Sequence, residues 1–226
     1  MSVLILNIET SEKNCSVAIG SEGTLLGEKT ISSEGFLHAE QLHLLIKEVM
    51  DETQVSFKQL SAVAVSEGPG SYTGLRIGVS AAKGIAYACE VPLIGVPTLL
   101  ALYEGVEKKE GYDYWIPMID ARRMEVYCCV LDRSGEVKKE VCAEVLDENS
   151  FQELHGRVAV FGSGAQKSLA VLQGDFVLID EAMNVAKNMV GISYMKFEAQ
   201  AFADVAYFEP YYLKDFKAGM PKKMWK

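Results

Sequence analysis

Residues 66–86, SEGPGSYTGLRIGVSAAKGIA, hold the junction around which the rest of the chain can be read. Upstream of it, Ser61 to Val65 is short and β-branched, which predicts a buried strand. Gly68-Pro69-Gly70 breaks that strand, and Ser71 or Thr73 can cap a helix reaching about Cys89. Gly74, Gly78, Ala81, Ala82, Gly84, Ala86 and Ala88 leave much of the helix without bulky side chains. Each interior glycine costs about 0.5–1 kcal/mol relative to alanine, so something must offset the loss. Close approach of another backbone is the usual reason, and it belongs either to this chain's own lobe or to a partner.

A glycine loop between a strand and a helix start also favours anions. Two phosphate motifs fail here. A Walker A loop needs four residues between its glycines and then Gly-Lys-Ser/Thr, whereas five separate Gly68 from Gly74, and Leu75-Arg76 follows. The dinucleotide pattern is off by one residue, and Glu67 sets a carboxylate where a pyrophosphate would lie. No Gly-x-Ser-x-Gly elbow is present, because Ser71 is flanked by Gly70 and Tyr72.

Outward from this loop, Val3 to Ile8 reads as a buried strand ending at Glu9-Thr10-Ser11, and Cys15 to Ile19, a Gly20–Gly23 turn and Thr24 to Ile31 read as a hairpin. Leu42, Leu45, Ile46 and Val49 fall at helical spacing, predicting an amphipathic helix from His38 to about Glu52. The second half echoes the first. Tyr114 to Ile119 ends in Asp120, followed by Val126 to Leu131, an Asp132–Gly135 turn and a further strand from Val137. Strand, acidic residue and hairpin thus recur about 111 residues apart, which predicts two related lobes. Arg157 to Phe161 with Gly162-Ser163-Gly164 gives another strand and turn, and Val185, Met189 and Ile192 mark a late helix. The expected division is 1–105 and 106–226, with the terminal segment packing back on the first lobe.

Composition narrows the function classes. The 226 residues carry 22 basic and 31 acidic side chains, a net charge of −9 that opposes free-standing nucleic-acid binding. From Lys214 onward, however, five lysines face one aspartate, so residues 1–213 hold 17 basic and 30 acidic side chains, net −13, ahead of a basic tail ending Lys222-Lys223-Met224-Trp225-Lys226. Five scattered cysteines without a Cys-x-x-Cys pair signal neither a disulfide framework nor a zinc site. His38 and His43 project roughly 140° apart on a helix and cannot comfortably share an ion. MSVLILNIETSEKN has no basic region and only a short apolar run, so a cytosolic protein is expected.

LILNIETSEKNCSVAI, HAEQLHLLIKEV, GPGSYTGLRIG, VPLIGVPTL, MIDARRMEVYCCV, FGSGA and EPYYLKD together resemble the TsaB (YeaZ) family across nearly the whole chain. The most specific match is GPGSYTGLRIG at 68–78, where the family typically carries Phe in place of Tyr72. The resemblance implies an α/β protein with the actin-like ATPase (ribonuclease H-like) fold, two related lobes each with a mixed sheet flanked by helices. It implies a non-catalytic dimerisation subunit for transfer of a threonylcarbamoyl group to adenosine 37 of tRNA. The implied partners are the catalytic subunit TsaD, the ATPase TsaE, tRNA within the complex, and a second copy when alone. No tightly bound cofactor is implied, with ATP or ADP confined to the complex interface and Glu9, Thr10 and Ser11 a degenerate phosphate loop. The implied interface uses the two first-lobe helices, through Leu42, Leu45, Ile46, Gly70, Ser71, Tyr72, Thr73, Gly74, Arg76, Gly78, Ala81 and Ala82. Where the catalytic relative has a His-x-x-x-His metal pair, this chain has Thr98 and Leu102, and leucine cannot ligate a metal. The competing reading is an autonomous actin-fold ATP-dependent enzyme or a metal-dependent endopeptidase.

Overall fold

The computed structural model describes residues 2–32, 38–107, 111–180 and 182–214. Leu4–Glu9 (β1) pairs antiparallel with Asn14–Ser21 (β2), which pairs with Thr24–Ser32 (β3). Ala62–Gly68 (β4) and Leu93–Pro97 (β5) then add in parallel, giving the order β3-β2-β1-β4-β5. The second sheet repeats this connectivity. Tyr114–Asp120 (β6), Glu125–Asp132 (β7) and Val137–Val145 (β8) form the antiparallel meander, and Val158–Phe161 (β9) and Phe176–Ile179 (β10) add in parallel, ordered β10-β9-β6-β7-β8. Because β1 and β6 end at Glu9 and Asp120, the echo in the sequence is a duplicated unit. This is the actin-like, ribonuclease H-like arrangement.

Helices cover both faces of the first sheet, because the central parallel strands are apolar on both sides. His38–Thr53 (α1) and Tyr72–Cys89 (α2) lie on one face, where Leu42, Leu45, Ile46 and Val49 of α1 and Val79, Ala82 and Ala86 of α2 meet Leu6, Ile8, Val17, Val63 and Val65. Ser71 caps α2, its hydroxyl accepting the Gly74 N–H at 3.2 Å. On the other face, Ile5, Ala62, Ala64, Ile94 and Val96 meet Met189 and Ile192. Those two residues come from the 3₁₀ turn Ala186–Met189 and the helix Val190–Glu198, here α5, which follow the second sheet in the chain.

Thr98–Glu104 (α3) joins the lobes. Its Ala101 packs with the first sheet's cluster, while Leu99, Leu102 and Tyr103 pack with Trp115, Ile119, Leu131 and Phe161 of the second. The rings of Tyr103 and Phe161 meet Trp115 edge-on at 6.2 and 6.3 Å. The opposite face of the second sheet is filled by Leu146, Phe151 and Ala165, the last from the short helix Ala165–Ser168 (α4).

The late segment packs back on the first lobe. Ala203 bridges to Leu93, Lys83 Nζ donates to the Phe208 carbonyl at 2.9 Å, and the Tyr211 N–H donates to the Glu67 carbonyl at 2.6 Å. The described part of the span 106–226 therefore divides spatially, with residues 186–211 packing on the first lobe and Lys214 reaching back to Glu125 and Tyr127 of the second.

Leu42 is fully buried in the lobe's own core. Leu42→Ala is expected to destabilise the isolated chain by about 2–5 kcal/mol in urea denaturation, the cost of a core cavity. An unchanged midpoint would show instead that this side chain faces a partner.

Candidate functional site

The loop 68–74 and the first turns of α2 lie directly on the β1–β2 turn. The Ser71 N–H donates to the Ser11 carbonyl at 2.6 Å, and the Thr10 hydroxyl donates to the Gly74 carbonyl at 2.8 Å. A Cβ at Gly74 would collide with the Thr10 carbonyl, one at Gly78 with the Thr10 hydroxyl, and one at Gly70 with the Ser11 carbonyl. The backbone that offsets the glycines of α2 is thus the lobe's own turn. Glu9, Thr10 and Ser11 are all buried by this contact. The Ser11 N–H is already taken by Glu9 Oε1 at 2.5 Å, and the Thr10 N–H faces Ser66 Oγ at 3.5 Å. Anion loops work by presenting open N–H groups. As placed, these three residues present neither an open N–H nor an exposed surface.

Burial pushes the Glu9 carboxyl up from its ordinary 4.5 to about 7, against its hydrogen bonds to Ser11, and among the described residues Oε2 has no hydrogen-bond partner. Glu12 reaches across to the second lobe, accepting from the Ser163 hydroxyl and from Asn184 Nδ2, the latter at 2.6 Å. Burial raises its carboxyl as well, and the two hydrogen bonds pull the other way. Asp120, the second-lobe counterpart of Glu9, receives Lys167 Nζ and the Arg122 N–H, while the Asp120 N–H donates to Ser163 Oγ at 3.0 Å. The two equivalent strand ends are therefore linked by protein groups.

Thr98 and Leu102 are both fully buried. Thr98 Oγ1 accepts the Gly68 N–H at 3.0 Å, and Leu102 stands in the second-lobe core, so this helix turn is built for packing. His38 is buried with Nε2 on the Glu12 carbonyl at 2.8 Å, whereas His43 is exposed on the other side of α1. Among the described residues, no group of three or more His, Cys, Asp or Glu side chains converges as a metal site. Glu67 sits behind the loop rather than in it, close to Gly95, where burial raises its carboxyl and Lys196 opposes the rise.

The expected interface residues separate into two sets. Leu42, Leu45, Ile46, Gly74, Gly78 and Ala82 are buried within the lobe, against the sheet and the Thr10 turn. Thr73 and Arg76 are exposed, while Gly70, Ser71, Tyr72 and Ala81 are half-buried. Tyr72 is clasped between Tyr212, at 4.9 Å between rings, and the Arg76 guanidinium, at 4.5 Å. The residue pattern alone does not single out the outward row Ser80, Gly84, Tyr87 and Ala88, all exposed. A Cβ at Gly84 would meet nothing within 4 Å, which distinguishes it from Gly74 and Gly78. Leu44, 53% exposed, lies on the outer face of α1. Lys222, Lys223 and Lys226 of the basic tail lie outside the described residues.

The chain is 30% identical over 224 residues to the Escherichia coli tRNA threonylcarbamoyladenosine biosynthesis protein TsaB, covering 93% of this chain and 94% of that one. It belongs to the TsaB family. A family model described as TsaD, tRNA N6-adenosine threonylcarbamoyltransferase, also matches residues 31–221. The tRNA N6-adenosine threonylcarbamoyltransferase of Halalkalibacterium halodurans is 43% identical over 108 residues, 41% of this chain but only 32% of that protein. The solved structure of YeaZ from Pseudomonas aeruginosa superposes with a TM-score of 0.80 at 25% identity, covering 93% of this chain and 100% of that one. The Escherichia coli TsaB matches nearly end to end, while the transferase shares a segment. Among the described residues, no helix is long and apolar enough to cross a membrane.

The folded protein holds the Glu9 proton more tightly than the unfolded chain. The associated stability is fully present below about pH 4.5 and is lost as pH rises toward about 7, a cost on the order of 3 kcal/mol. Glu9→Gln keeps the acceptor for Ser11 and removes the charge. It is expected to raise the thermal midpoint clearly at pH 8 and little at pH 5, by calorimetry at both. An equal shift at the two values would exclude Glu9 as the source.

Proposed function

We propose that this chain is a non-catalytic assembly subunit in the formation of threonylcarbamoyladenosine on tRNA, binding and supporting the catalytic subunit TsaD. The observation that carries the reading is the filled site. The turn that would hold phosphate is occupied by α2, and the helix turn that would hold the metal pair carries a buried Thr98 and a core Leu102. The family relationship supports the pathway, and the packing favours this division of labour. An autonomous kinase or endopeptidase would need polar groups converging on an accessible pocket, and these positions are spent on the core. In this reading ATP or ADP acts at the complex interface, TsaE joins the assembly, and tRNA is met only within it. The isolated chain forms a homodimer through the same face that binds TsaD, and it works in the cytoplasm.

That face is the outer side of α1 and α2. Leu44, Tyr87, Thr73 and Arg76 supply contact area, and Ser80, Gly84 and Ala88 let a second helix approach closely. A helix glycine with open space above it costs stability in the isolated chain and gains a use when another backbone fills that space.

Gly84→Leu separates folding from assembly. Compared at a concentration where the wild-type chain is monomeric, the variant is expected to melt at or slightly above the wild-type temperature, since a better helix former enters open space. Its affinity for the cognate TsaD, read by size exclusion and calorimetry, is expected to fall at least ~10-fold, about 1.4 kcal/mol. A folded variant that binds TsaD undiminished would remove this face from the interface. The subunit role is tested separately, by tRNA modification with TsaD and TsaE in the presence and absence of the chain. Modification at the same rate without it would overturn the reading.

A further inference from the structure

The assembly role uses none of the five cysteines, yet two of them are brought together by the second sheet. Cys128 of β7 and Cys142 of β8 are directly paired across antiparallel strands, and their sulfurs stand 3.9 Å apart. Directly paired residues point to one face of a sheet, with Cα atoms about 4.5–5.5 Å apart in either kind of antiparallel pair. That lies inside the window of about 4.4–6.8 Å within which a disulfide closes without moving the backbone. No other cysteine competes for either thiol. Cys129 follows Cys128 in the strand, so it points to the opposite face, where it packs with Trp115, Leu131 and Phe161. Cys15 and Cys89 belong to the first lobe.

The two thiols differ in access and in charge. Cys128 is fully buried among Ile116, Met118 and Val126, while Cys142 is half-buried on the edge strand β8. The groups around Cys142 are the Cys128 thiol, the Lys139 ammonium, the Glu144 carboxylate and, from the opposite face, the Cys129 thiol, with Lys139 and Glu144 paired at 3.0 Å. Lys139 also lies 5.0 Å above the Phe151 ring and lines the mouth of a surface cavity beside Val130 and Leu154. The sulfur–sulfur hydrogen bond and the Lys139 charge lower the Cys142 thiol from its ordinary value, while the same hydrogen bond and burial raise the Cys128 thiol. A thiolate at the surface next to a thiol beneath it is the arrangement that attack and resolution require.

We propose that Cys142 and Cys128 form a peroxide-reactive dithiol site that closes to a cross-strand disulfide. The Cys142 thiolate attacks one oxygen of hydrogen peroxide. An S–O bond forms, the O–O bond breaks, and the departing hydroxide leaves as water with a proton from solvent. The Cys128 sulfur then attacks the sulfenic sulfur. The S–S bond forms, the S–O bond breaks, and hydroxide leaves as water with the Cys128 proton. One peroxide is reduced to two waters as two thiols become one disulfide, and a small dithiol reductant reverses the change. The link ties the edge strand β8 to β7 across a sequence separation of 14 residues.

The test uses the purified full chain, reduced, freed of reductant and treated with one equivalent of hydrogen peroxide near neutral pH. Denatured thiol counting is expected to fall from five to three, and peptide mass mapping to show a Cys128–Cys142 link that dithiothreitol removes. In Cys142→Ser the four remaining thiols are expected to survive the same treatment. In Cys128→Ser, Cys142 is expected to remain a trappable sulfenic acid. The wild-type count stands without either variant, should one fail to fold. Five thiols remaining, Cys142 overoxidised with Cys128 untouched, or chains joined to one another through Cys142 would each overturn the proposal.

Discussion

The contact between Thr10 and the glycines of α2 is the constraint on which the first lobe depends. Thr10 occupies the groove left by Gly74 and Gly78 and donates its hydroxyl to the Gly74 carbonyl. The donor thereby satisfies a buried polar group and fixes how closely helix and turn approach. Two methyl groups' worth of missing side chain let α2 drop onto the end of β1. Once it is there, Glu9 and Ser11 are sealed from solvent, and the Ser71 N–H closes the loop onto the Ser11 carbonyl. A turn that in an open arrangement would offer N–H groups to an anion is converted into an internal joint.

The same exchange of chemistry for packing recurs elsewhere in the duplicated fold, at the strand ends and the connecting helix. Glu12 spans to Ser163 and Asn184, so the gap between the two meanders is bridged by side chains of the protein itself. Helix α3 sits between the sheets with Leu102 and Thr98 turned into packed surroundings. The return of the chain through α5 to the first sheet closes the far face of β1, β4 and β5. What stays outward is the solvent side of α1 and α2, with a helix glycine that none of the described residues covers.

Much of this is legible in the residues themselves. The β-branched runs, the glycine turns and the acidic residue closing each first strand are enough to find both meanders and their duplication. Leu42, Leu45, Ile46 and Val49 mark α1 to within a residue, and Ser71 marks the cap of α2. Four labelled elements escape such reading: β5, whose Gly95 and Pro97 disguise a five-residue strand, the seven-residue α3, and the four-residue α4 and β10. Short buried segments carry no periodicity, and parallel strands with both faces covered show no alternation to read.

The sequence by itself determined the two meanders, their duplication and the absence of histidines at 98 and 102, because residue type and local spacing suffice for those, and its resemblance to the TsaB family implied the fold. It could show that the glycines of α2 needed a neighbour, and it left open which one. Only the tertiary structure decided that, placing Gly74 and Gly78 on Thr10 of the same lobe and leaving Gly84 open to solvent. It also decided that Cys128 and Cys142 are neighbours, since strand register brings together residues that spacing along the chain keeps apart. The physical reason is common to both. A missing side chain, or a lone thiol, says that something is close, and only the folded backbone says what.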